Sequence, residues 1–301
     1  MQSKKERLKI LVTGASGMLG TTLYDVFTDA GYHIISTDIV PLDPWTAQLD
    51  IRDKKAVRHT IKESKPDFVF NLAALTDVEY CELHPQEVYD TNVEGALNVA
   101  RLCKEFGIPL VHISTVGVFD GKKGEPYTEY DEPKPVNHYG KAKYEAEKAI
   151  PKILDKYFIF RAGWMMGGGE RDKKFVKKVH NQIKNGATTI YALDDMYGCP
   201  TYTLDFSSGI LRMINTEDYD LYNMGNEGFC TRYDVAKRMV ELLGLGTVKV
   251  EAVKGGFFAK DYFAPRPVFE VMENRKLHER GYNIMRHWED ALKEYLEKYY
   301  V

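Results

Sequence analysis

The chain has 301 residues and a formal net charge of −3, from 41 lysines and arginines against 44 aspartates and glutamates. This length fits one large domain or two closely joined ones. The mixed charge excludes the basic field expected of a nucleic-acid-binding protein. No apolar run is long enough for a transmembrane helix, and Met1–Arg7 lead into a strand without a signal-peptide core. We therefore expect a cytoplasmic protein with no membrane partner.

The cysteines and histidines show no metal-binding pattern. The four cysteines, Cys81, Cys103, Cys199 and Cys230, form no C-x-x-C pair, and the eight histidines form no H-x-x-x-H pair. We expect the cysteines to be small, reduced core residues and expect no metal site.

A glycine-rich stretch near the chain start gives the first functional signal. The apolar run 10–12 ends in three evenly spaced glycines, Gly14, Gly17 and Gly20, and a helical pattern follows over 22–27. Such a strand, turn and helix can hold a phosphate, because the helix N-terminus offers unpaired N–H groups and the positive end of a dipole. Glycine turns alone are often structural, but this context predicts a nucleotide site.

A second predicted strand, 32–37, leads to Asp38. Asp38 follows the glycines by about 20 residues, where the ribose-binding acid of a dinucleotide fold lies. The alternative is a turn-forming aspartate. A carboxylate here would favour NADH, since it pairs with ribose hydroxyls and repels a 2′-phosphate, although Lys54 or Lys55 could offset this preference.

Strands and helices alternate through the first half of the chain. Further strands are predicted at 68–74, 110–114 and 158–161, and helices at 53–64, 88–102 and 136–147. This alternation predicts an α/β fold, a Rossmann-type doubly wound parallel sheet. Because ligands bind at the carboxyl ends of such strands, we expect residues 14–20, Asp38, 73–74 and 114–115 along one crevice.

The alternation weakens after Ala162. Helices are predicted at 172–185, 203–214, 233–243 and 288–299, and a short strand at 189–191. We predict a dinucleotide-binding domain over 1–161, to which the chain returns around 203–222. The region 162–301 is predicted to be mainly a smaller mixed α/β substrate-binding region.

Tyr139 and Lys143 are the first candidates for chemistry. They are four residues apart on a predicted helix and so share one face, where an ammonium could stabilise a phenolate. Such pairs are common on exposed helices, so the pair alone is weak evidence. Ser114 and Thr115 end a strand that should open on the crevice, where a hydroxyl could hydrogen-bond a substrate carbonyl.

Together the glycine motif, Thr115, Tyr139 and Lys143 resemble the extended short-chain dehydrogenase/reductase family. The dTDP-4-dehydrorhamnose reductase branch is suggested by further motifs: Pro135-x-Asn137-x-Tyr139-Gly140-x-x-Lys143-x-x-x-Glu147, Arg161-x-x-Trp164, Gly198-Cys199-Pro200-Thr201-Tyr202-Thr203-x-Asp205, Tyr222-Asn223-Met224 with Gly228, and Arg266-Pro267. These motifs extend over nearly the whole chain.

The resemblance implies an NAD(P)H-dependent reduction of a 4-keto group on a nucleotide-activated deoxysugar. In this scheme Tyr139 donates a proton, Thr115 orients the carbonyl, and Lys143 lowers the tyrosine pKa and holds the nicotinamide ribose. The implied cofactor residues are Gly14, Ser16, Gly17, Met18, Leu19, Gly20, Asp38, Asp50, Ile51, Leu72, Ala73, Ala74, Asn92, Tyr139 and Lys143. The implied substrate residues are Val116, Trp164, Thr201 and Arg266. The partner is a nucleotide sugar, and a homodimer is left open.

Four departures fall at positions that the resemblance makes substrate-facing. Val116-Gly117 replaces an Asp-Tyr pair, Gly163 replaces a serine, Phe269-Glu270 replaces Asn-Ser, and Met196 replaces a glutamine. We infer that polar contacts to the sugar are lost and that the sugar or its stereochemistry differs from dehydrorhamnose.

Two alternatives remain open. One is a nucleotide-sugar epimerase or dehydratase of the same fold, although a dehydratase usually needs acidic residues after Thr115. The other is a non-catalytic, cofactor-binding regulatory subunit, which would not need to keep Thr115, Tyr139 and Lys143 together.

Overall fold

A computed structural model describes residues 7–301, so the interpretation of the first six residues lies outside the described part of the chain. The strands are β1 Lys9–Thr13, β2 His33–Asp38, β3 Thr46–Gln48, β4 Phe68–Asn71, β5 Leu110–Thr115, β6 Tyr157–Ala162, β7 Trp164–Met166, β8 Thr189–Leu193, β9 Tyr197–Gly198, β10 Pro200–Tyr202, β11 Asp220–Asn223, β12 Cys230–Thr231, β13 Lys249–Val253 and β14 Phe269–Glu270. The α-helices are α1 Met18–Asp29, α2 Lys54–Ser64, α3 Val78–Leu83, α4 Pro85–Tyr89, α5 Ala96–Phe106, α6 His138–Ile153, α7 Phe175–Lys184, α8 Thr203–Met213, α9 Arg232–Leu242, α10 Arg275–Glu279 and α11 Trp288–Tyr299.

Seven strands form one parallel sheet in the order β11-β6-β5-β4-β1-β2-β3. The strand order reverses between β1 and β4, which creates the crevice where a doubly wound sheet binds ligands. The predicted Rossmann-type fold is confirmed. β3 was not predicted, because its three residues lie in a loop rich in proline and carry no strand pattern.

Apolar residues cover both faces of this sheet. On one face Val57 of α2, Ala100 of α5 and Ile150 of α6 belong to one buried cluster. On the other face Leu23 and Phe27 of α1 pack with Phe206 and Ile210 of α8. Helices on both faces explain why the central strands are nearly continuous apolar runs.

A third apolar cluster lies outside the seven-stranded sheet. It joins Val176 of α7, Ile190 of β8, Val235 of α9 and Leu292 of α11. Most of the second half of the chain therefore packs around a core of its own. The chain also returns to the main sheet, where β11 pairs with β6.

The long helix predicted around 88–102 is broken into shorter pieces. α4 runs into a π-helix at Asp90–Gly95 before α5 begins. The break brings Asn92 into the interior, where it is 1% exposed. π-helical turns of this kind often lie at functional sites.

A buried ion pair fastens α6 to the sheet. Arg161 of β6 donates two hydrogen bonds to the Glu147 carboxylate of α6, at 2.9 and 2.7 Å. The two side chains are only 4% and 2% exposed. Removing one partner leaves the other charge buried and uncompensated.

We predict that Glu147→Gln lowers the free energy of unfolding by about 3–5 kcal/mol, the usual cost of breaking a buried ion pair. Urea denaturation measures this change. The matched control is Glu145→Gln on the same helix, because Glu145 pairs with Lys148 while roughly half-exposed. The control should change stability by no more than about 0.5 kcal/mol. Equal effects of the two substitutions would contradict a structural role for the buried pair.

Candidate active site

The glycine-rich turn brings the end of β1 against the segment that follows β4. Gly14 has a left-handed φ of 72°, and a Cβ on it would lie 2.6 Å from the backbone nitrogen of Ala73. A Cβ on Gly20 would lie 2.4 Å from the carbonyl oxygen of Ala15. Both positions require glycine for close backbone approach. Ala73 thus lies directly beside the turn, as predicted from the strand order.

Gly17 leaves space where a phosphate would bind. It precedes α1 as the capping residue without any side-chain cap, and it is exposed. The N–H groups of the first helical turn are therefore available to an anion. Met18 borders this space, and a Cβ on Gly168 would lie 2.7 Å from the Met18 carbonyl oxygen. The Leu19 side chain is buried in the core, so its predicted cofactor contact would have to come from its backbone.

Asp38 is the last residue of β2 and lies beside the glycine-rich turn that follows β1. Its carboxylate accepts hydrogen bonds from the backbone N–H groups of Ser16 and Val40, each at 3.0 Å. The Ser16 hydroxyl accepts a hydrogen bond from the Leu42 N–H at 3.1 Å. The structure thus brings Asp38 and Ser16 together at the predicted crevice.

Asp50 and Ile51 were also predicted to contact the cofactor. Asp50 is paired with Arg52 through hydrogen bonds of 2.7 to 3.0 Å, and the guanidinium lowers the pKa of this carboxyl. Ile51 is buried beneath Gly95, whose added Cβ would meet the Ile51 side chain at 2.8 Å. The Ile51 side chain fills the core, and a cofactor contact by this residue stays a prediction.

Asn92 supports the crevice through the backbone. Its side-chain oxygen accepts from the Leu75 N–H at 2.8 Å, and its side-chain nitrogen donates to the Leu75 carbonyl at 2.9 Å. Both polar groups of the amide are therefore used within the protein. Asn92 positions the segment after β4, which includes the predicted residues Leu72, Ala73 and Ala74.

Thr115 and Tyr139 meet where β5 ends and α6 begins. Asn137 caps α6 by accepting the Gly140 N–H at 2.8 Å, and Gly140 packs so closely that a Cβ would lie 2.2 Å from the Gly117 carbonyl oxygen. This contact brings Tyr139 close to the Thr115 side chain, which favours the deprotonated form of the phenol. The Thr115 hydroxyl also accepts the Gly117 N–H at 3.0 Å.

Burial dominates the protonation of Tyr139. The pKa of Tyr139 is raised to about 12: burial is the largest cause, the interaction with Thr115 opposes it, and the nearby Cys81 and Glu270 add to it. The net shift is opposite to the lowering predicted from the neighbouring Lys143. Tyr139 is therefore protonated at neutral pH, as a proton donor must be.

Lys143 is nearly inaccessible, with 3% of its surface exposed. Burial lowers the pKa of Lys143 to about 8, and the Glu147 carboxylate one turn further along α6 opposes this shift. Tyr139, Lys143 and Glu147 thus follow one another at four-residue spacing on a single helix face. The ammonium is retained at neutral pH but lost readily above it.

Two predicted substrate residues are buried. Thr201 is 0% exposed, and its hydroxyl accepts the Gly163 N–H at 3.1 Å. Val116 packs into an apolar cluster with Phe119 and Val271. Both side chains are buried, and substrate contact by Val116 and Thr201 stays a prediction.

The other two predicted substrate residues make polar contacts. Arg266 forms an ion pair with Glu79 of α3, at 2.6 Å. Trp164 donates its indole N–H to Glu270 at 2.8 Å. Its ring packs on Gly198, where an added Cβ would lie 2.2 Å from the ring.

Two charged residues beside Trp164, Arg232 and Glu270, were not predicted as site residues. The Arg232 guanidinium lies 3.7 Å from the centre of the Trp164 ring, and burial lowers its pKa to about 10. Arg232 begins α9 without a motif that singles it out. The sequence comparison predicts a loss of polar contacts at Phe269-Glu270, yet Glu270 brings a carboxylate close to Trp164 and Gly117 from a distant strand.

Gly163 also has a different explanation from the one predicted. A Cβ at this position would lie 2.3 Å from the Cys199 carbonyl oxygen, which accepts the Trp164 N–H at 2.8 Å. The pairing of β7 with β10 thus leaves no room for a side chain. Close packing therefore accounts for glycine at this position, and the predicted loss of a substrate contact stays a prediction.

All the cysteines lie within residues 7–301, the described part of the chain. All four cysteines are free and buried, as predicted. In this part of the chain, no group of three or more histidine, cysteine, aspartate or glutamate side chains is arranged to hold a metal ion. Nor does any helix of residues 7–301 combine the length and the apolar character needed to cross a membrane.

Comparison with known proteins identifies the family. The RmlD substrate binding domain model matches residues 8–301. The chain belongs to this family. The match covers both the glycine-rich turn and the Thr115, Tyr139 and Lys143 cluster, so the resemblance seen in the motifs is confirmed.

Relatives within the family match nearly end to end. The spore coat polysaccharide biosynthesis protein SpsK of Bacillus subtilis is 33% identical over 290 residues, covering 96% of this chain and 97% of that protein. A dTDP-4-dehydrorhamnose reductase of Streptomyces griseus is 32% identical, covering 96% of this chain and 93% of its own.

Solved structures show the same fold. A dTDP-4-dehydrorhamnose reductase from Clostridium acetobutylicum superposes with a TM-score of 0.88 at 34% identity, covering 97% of this chain and 99% of that one. The corresponding Bacillus anthracis protein, in complex with NADP, has a TM-score of 0.87 at 30% identity, covering 97% and 100%. A UDP-glucose 4-epimerase from Thermus thermophilus, at 20% identity, shares the fold alone.

We predict that Gly163→Ser lowers the free energy of unfolding by about 1–3 kcal/mol, as expected for overpacking. Urea denaturation measures the change. Gly246→Ser is the matched control, because nothing lies within 4 Å of a Cβ added there. A Gly163→Ser protein as stable as the wild type, with only its substrate affinity altered, would show that this position faces substrate.

Proposed function

We propose that this protein is an NAD(P)H-dependent reductase of a 4-keto group on a nucleotide-activated deoxysugar. The observation that carries the proposal is the meeting of Thr115 and Tyr139 at the end of β5, with Lys143 one turn further along the same helix face. The family membership and the names of relatives, dTDP-4-dehydrorhamnose reductase and dTDP-4-keto-6-deoxy-D-glucose reductase, support it.

The residues around the glycine-rich turn fit a dinucleotide. Gly14 permits the tight turn, Gly17 leaves space before the uncapped start of α1, and Asp38 places a carboxylate beside Ser16. These are the three elements that bind pyrophosphate and ribose in this fold. When bound, the nicotinamide would supply the hydride that the reduction requires.

Tyr139 supplies the proton. Its raised pKa keeps the phenol protonated in the free protein, and the half-buried position limits the access of water. Thr115 lies beside it and can donate a hydrogen bond to the same carbonyl oxygen. As the carbonyl becomes an alkoxide, the proton of Tyr139 neutralises the new charge at the atom where it forms.

Lys143 stabilises the phenolate that remains after proton transfer. Its ammonium lies on the same face of α6 as Tyr139, so its attraction grows only once the tyrosine carries charge. Glu147 supports the charged form of Lys143, and Arg161 holds Glu147 in place. We also propose that the same lysine holds the nicotinamide ribose.

Positive side chains favour a diphosphate on the far side of the crevice. Arg232 makes no ion pair among the described residues, and it remains charged at neutral pH despite a pKa lowered to about 10 by burial. Arg266 is paired with Glu79 and could exchange that partner for a phosphate. We assign the nucleotide diphosphate to Arg232 first and to Arg266 second.

We further propose the division of labour between the two regions. Residues 1–161 would bind the cofactor, and 162–301 would bind mainly the substrate. The pairing of β11 with β6 and the packing of α8 on α1 support a return of the chain to the cofactor region around 203–222.

Tyr139→Phe should lower kcat by about 100- to 10,000-fold, the usual contribution of a positioned proton donor. The assay follows the loss of reduced cofactor with a dTDP-4-keto-6-deoxy sugar, together with product analysis. Cofactor affinity, measured by fluorescence, should remain near that of the wild type. Tyr144→Phe on the same helix is the control and should retain activity. Normal turnover by the Tyr139→Phe protein would remove the tyrosine from catalysis.

Asp38→Ala should raise the use of NADPH relative to NADH, because the carboxylate would no longer repel a 2′-phosphate. Dissociation constants for both cofactors test this directly, without any turnover. Asp43→Ala provides the control, since Asp43 lies in the adjoining loop and pairs with Arg171. An unchanged ratio of the two constants would place Asp38 outside the cofactor site.

A further inference from the structure

Glu270 brings a carboxylate to the catalytic residues from the far end of the chain. It lies on β14, whose register pairs it with Gly198 of β9. Its Oε2 atom accepts the Trp164 indole N–H at 2.8 Å. Its Oε1 atom lies 3.9 Å from where a Cβ on Gly117 would be. The carboxylate therefore reaches the short segment that directly follows Thr115.

The absence of a side chain at Gly117 makes this approach possible. A Cβ there would already lie 3.3 Å from the Thr115 hydroxyl oxygen, and any longer side chain would extend into the space next to Glu270. Glu270 also raises the pKa of Tyr139, after the larger effect of burial. Glu270 thus lies close to both groups that would hold the substrate carbonyl.

Trp164 holds Glu270 in one orientation. The indole ring packs against Gly198, and the Arg232 guanidinium lies 3.7 Å from the ring centre. The hydrogen bond from the indole occupies only Oε2. Among the described residues, Oε1 accepts no hydrogen bond, and it is not completely enclosed.

A carboxylate in this position needs a hydrogen-bond donor. Ionised carboxylates accept hydrogen bonds and cannot donate them, and a polar group that loses water without gaining a partner is costly. Arg232 and Arg266 both favour the ionised form, although burial raises the pKa of Glu270 overall. Because Oε1 is still accessible and has no protein partner, a hydroxyl of the molecule that fills the crevice can donate to it.

We propose that Glu270 is a specificity-determining residue that accepts a hydrogen bond from the sugar hydroxyl on the carbon next to the keto carbon. The proposal rests on the proposed function. With the keto oxygen on Tyr139 and Thr115, the nearest substrate donor is on a carbon bonded to the keto carbon. In a 4-keto-6-deoxy sugar one such carbon bears the ring oxygen and a methyl group, so only carbon 3 offers a hydroxyl.

The test compares two substrates in the full-length protein: a dTDP-4-keto-6-deoxy sugar and its counterpart lacking the carbon 3 hydroxyl. Glu270→Ala should lower kcat/KM for the hydroxylated sugar by about 10- to 100-fold, the usual effect of losing a hydrogen bond to a charged group. For the deoxygenated sugar the same substitution should change kcat/KM by less than about threefold. The wild-type preference for the hydroxyl should thus disappear.

Trp164→Phe offers a second route that keeps the carboxylate. It removes the hydrogen bond that orients Glu270, so the preference for the hydroxylated sugar should fall between those of the wild type and Glu270→Ala. Glu273→Ala is the matched control, because Glu273 is a nearby glutamate paired with Arg275 at the surface. Melting temperature and cofactor affinity establish that each variant is folded.

Distinct results separate the two levels of the proposal. If the wild type reduces neither sugar, the proposed reductase function fails. If the wild type reduces both and Glu270→Ala slows both equally, the specificity role is overturned while the reductase function stands. Uptake of solvent deuterium at carbon 3 that depends on Glu270 would also overturn it, because the carboxylate would then abstract a proton from carbon.

Discussion

The buried ion pair between Arg161 and Glu147 sets the geometry on which the active site depends. Arg161 lies on β6, in register with Ser114 of β5, and it binds Glu147 on α6. Lys143 and Tyr139 precede Glu147 by one and two helical turns. The pair thus helps to fix the position of α6 relative to the end of β5, where Thr115 lies.

A pair of this kind is costly to bury, so it contributes more to geometry than to stability. Glu147 has a second role besides its pairing with Arg161. Its carboxylate opposes the lowering of the Lys143 pKa by burial. Structural and catalytic charges therefore form one connected series, from Arg161 through Glu147 to Lys143. A substitution of Arg161 or Glu147 would therefore affect Lys143 and Tyr139, although neither substituted residue contacts the substrate.

Local pattern predicts most of the sheet and the cofactor side of the crevice. The glycine turn, Asp38 and the shared face of Tyr139 and Lys143 follow from spacing, because short-range geometry decides them. The boundaries of α11 were also predicted, since a long amphipathic pattern specifies a helix. The break in the helix at Asn92 was not predicted. A π-helical turn leaves the run of apolar residues in place and changes only the direction in which the following side chains point.

The substrate side depends on contacts between residues far apart in the chain, which no spacing reveals. Gly163 packs so closely against the Cys199 carbonyl that it leaves no room for a side chain, and the neighbouring Thr201 is buried. Glu270 reaches Gly117 only because β14 pairs with β9. The sequence predicted a loss of polar groups at Val116-Gly117 and Phe269-Glu270. The structure instead places the Glu270 carboxylate next to Gly117.

The central claim is that hydride reaches the keto carbon of a nucleotide-linked sugar while Tyr139 protonates its oxygen. The most direct test is to incubate the wild-type protein with a dTDP-4-keto-6-deoxy sugar and nicotinamide cofactor deuterated at its transferable position. The product is then examined by mass spectrometry and NMR. The account predicts one deuterium, at carbon 4, with a single configuration there. Consumption of the sugar with no deuterium at carbon 4, or deuterium found only at a neighbouring carbon, would contradict it.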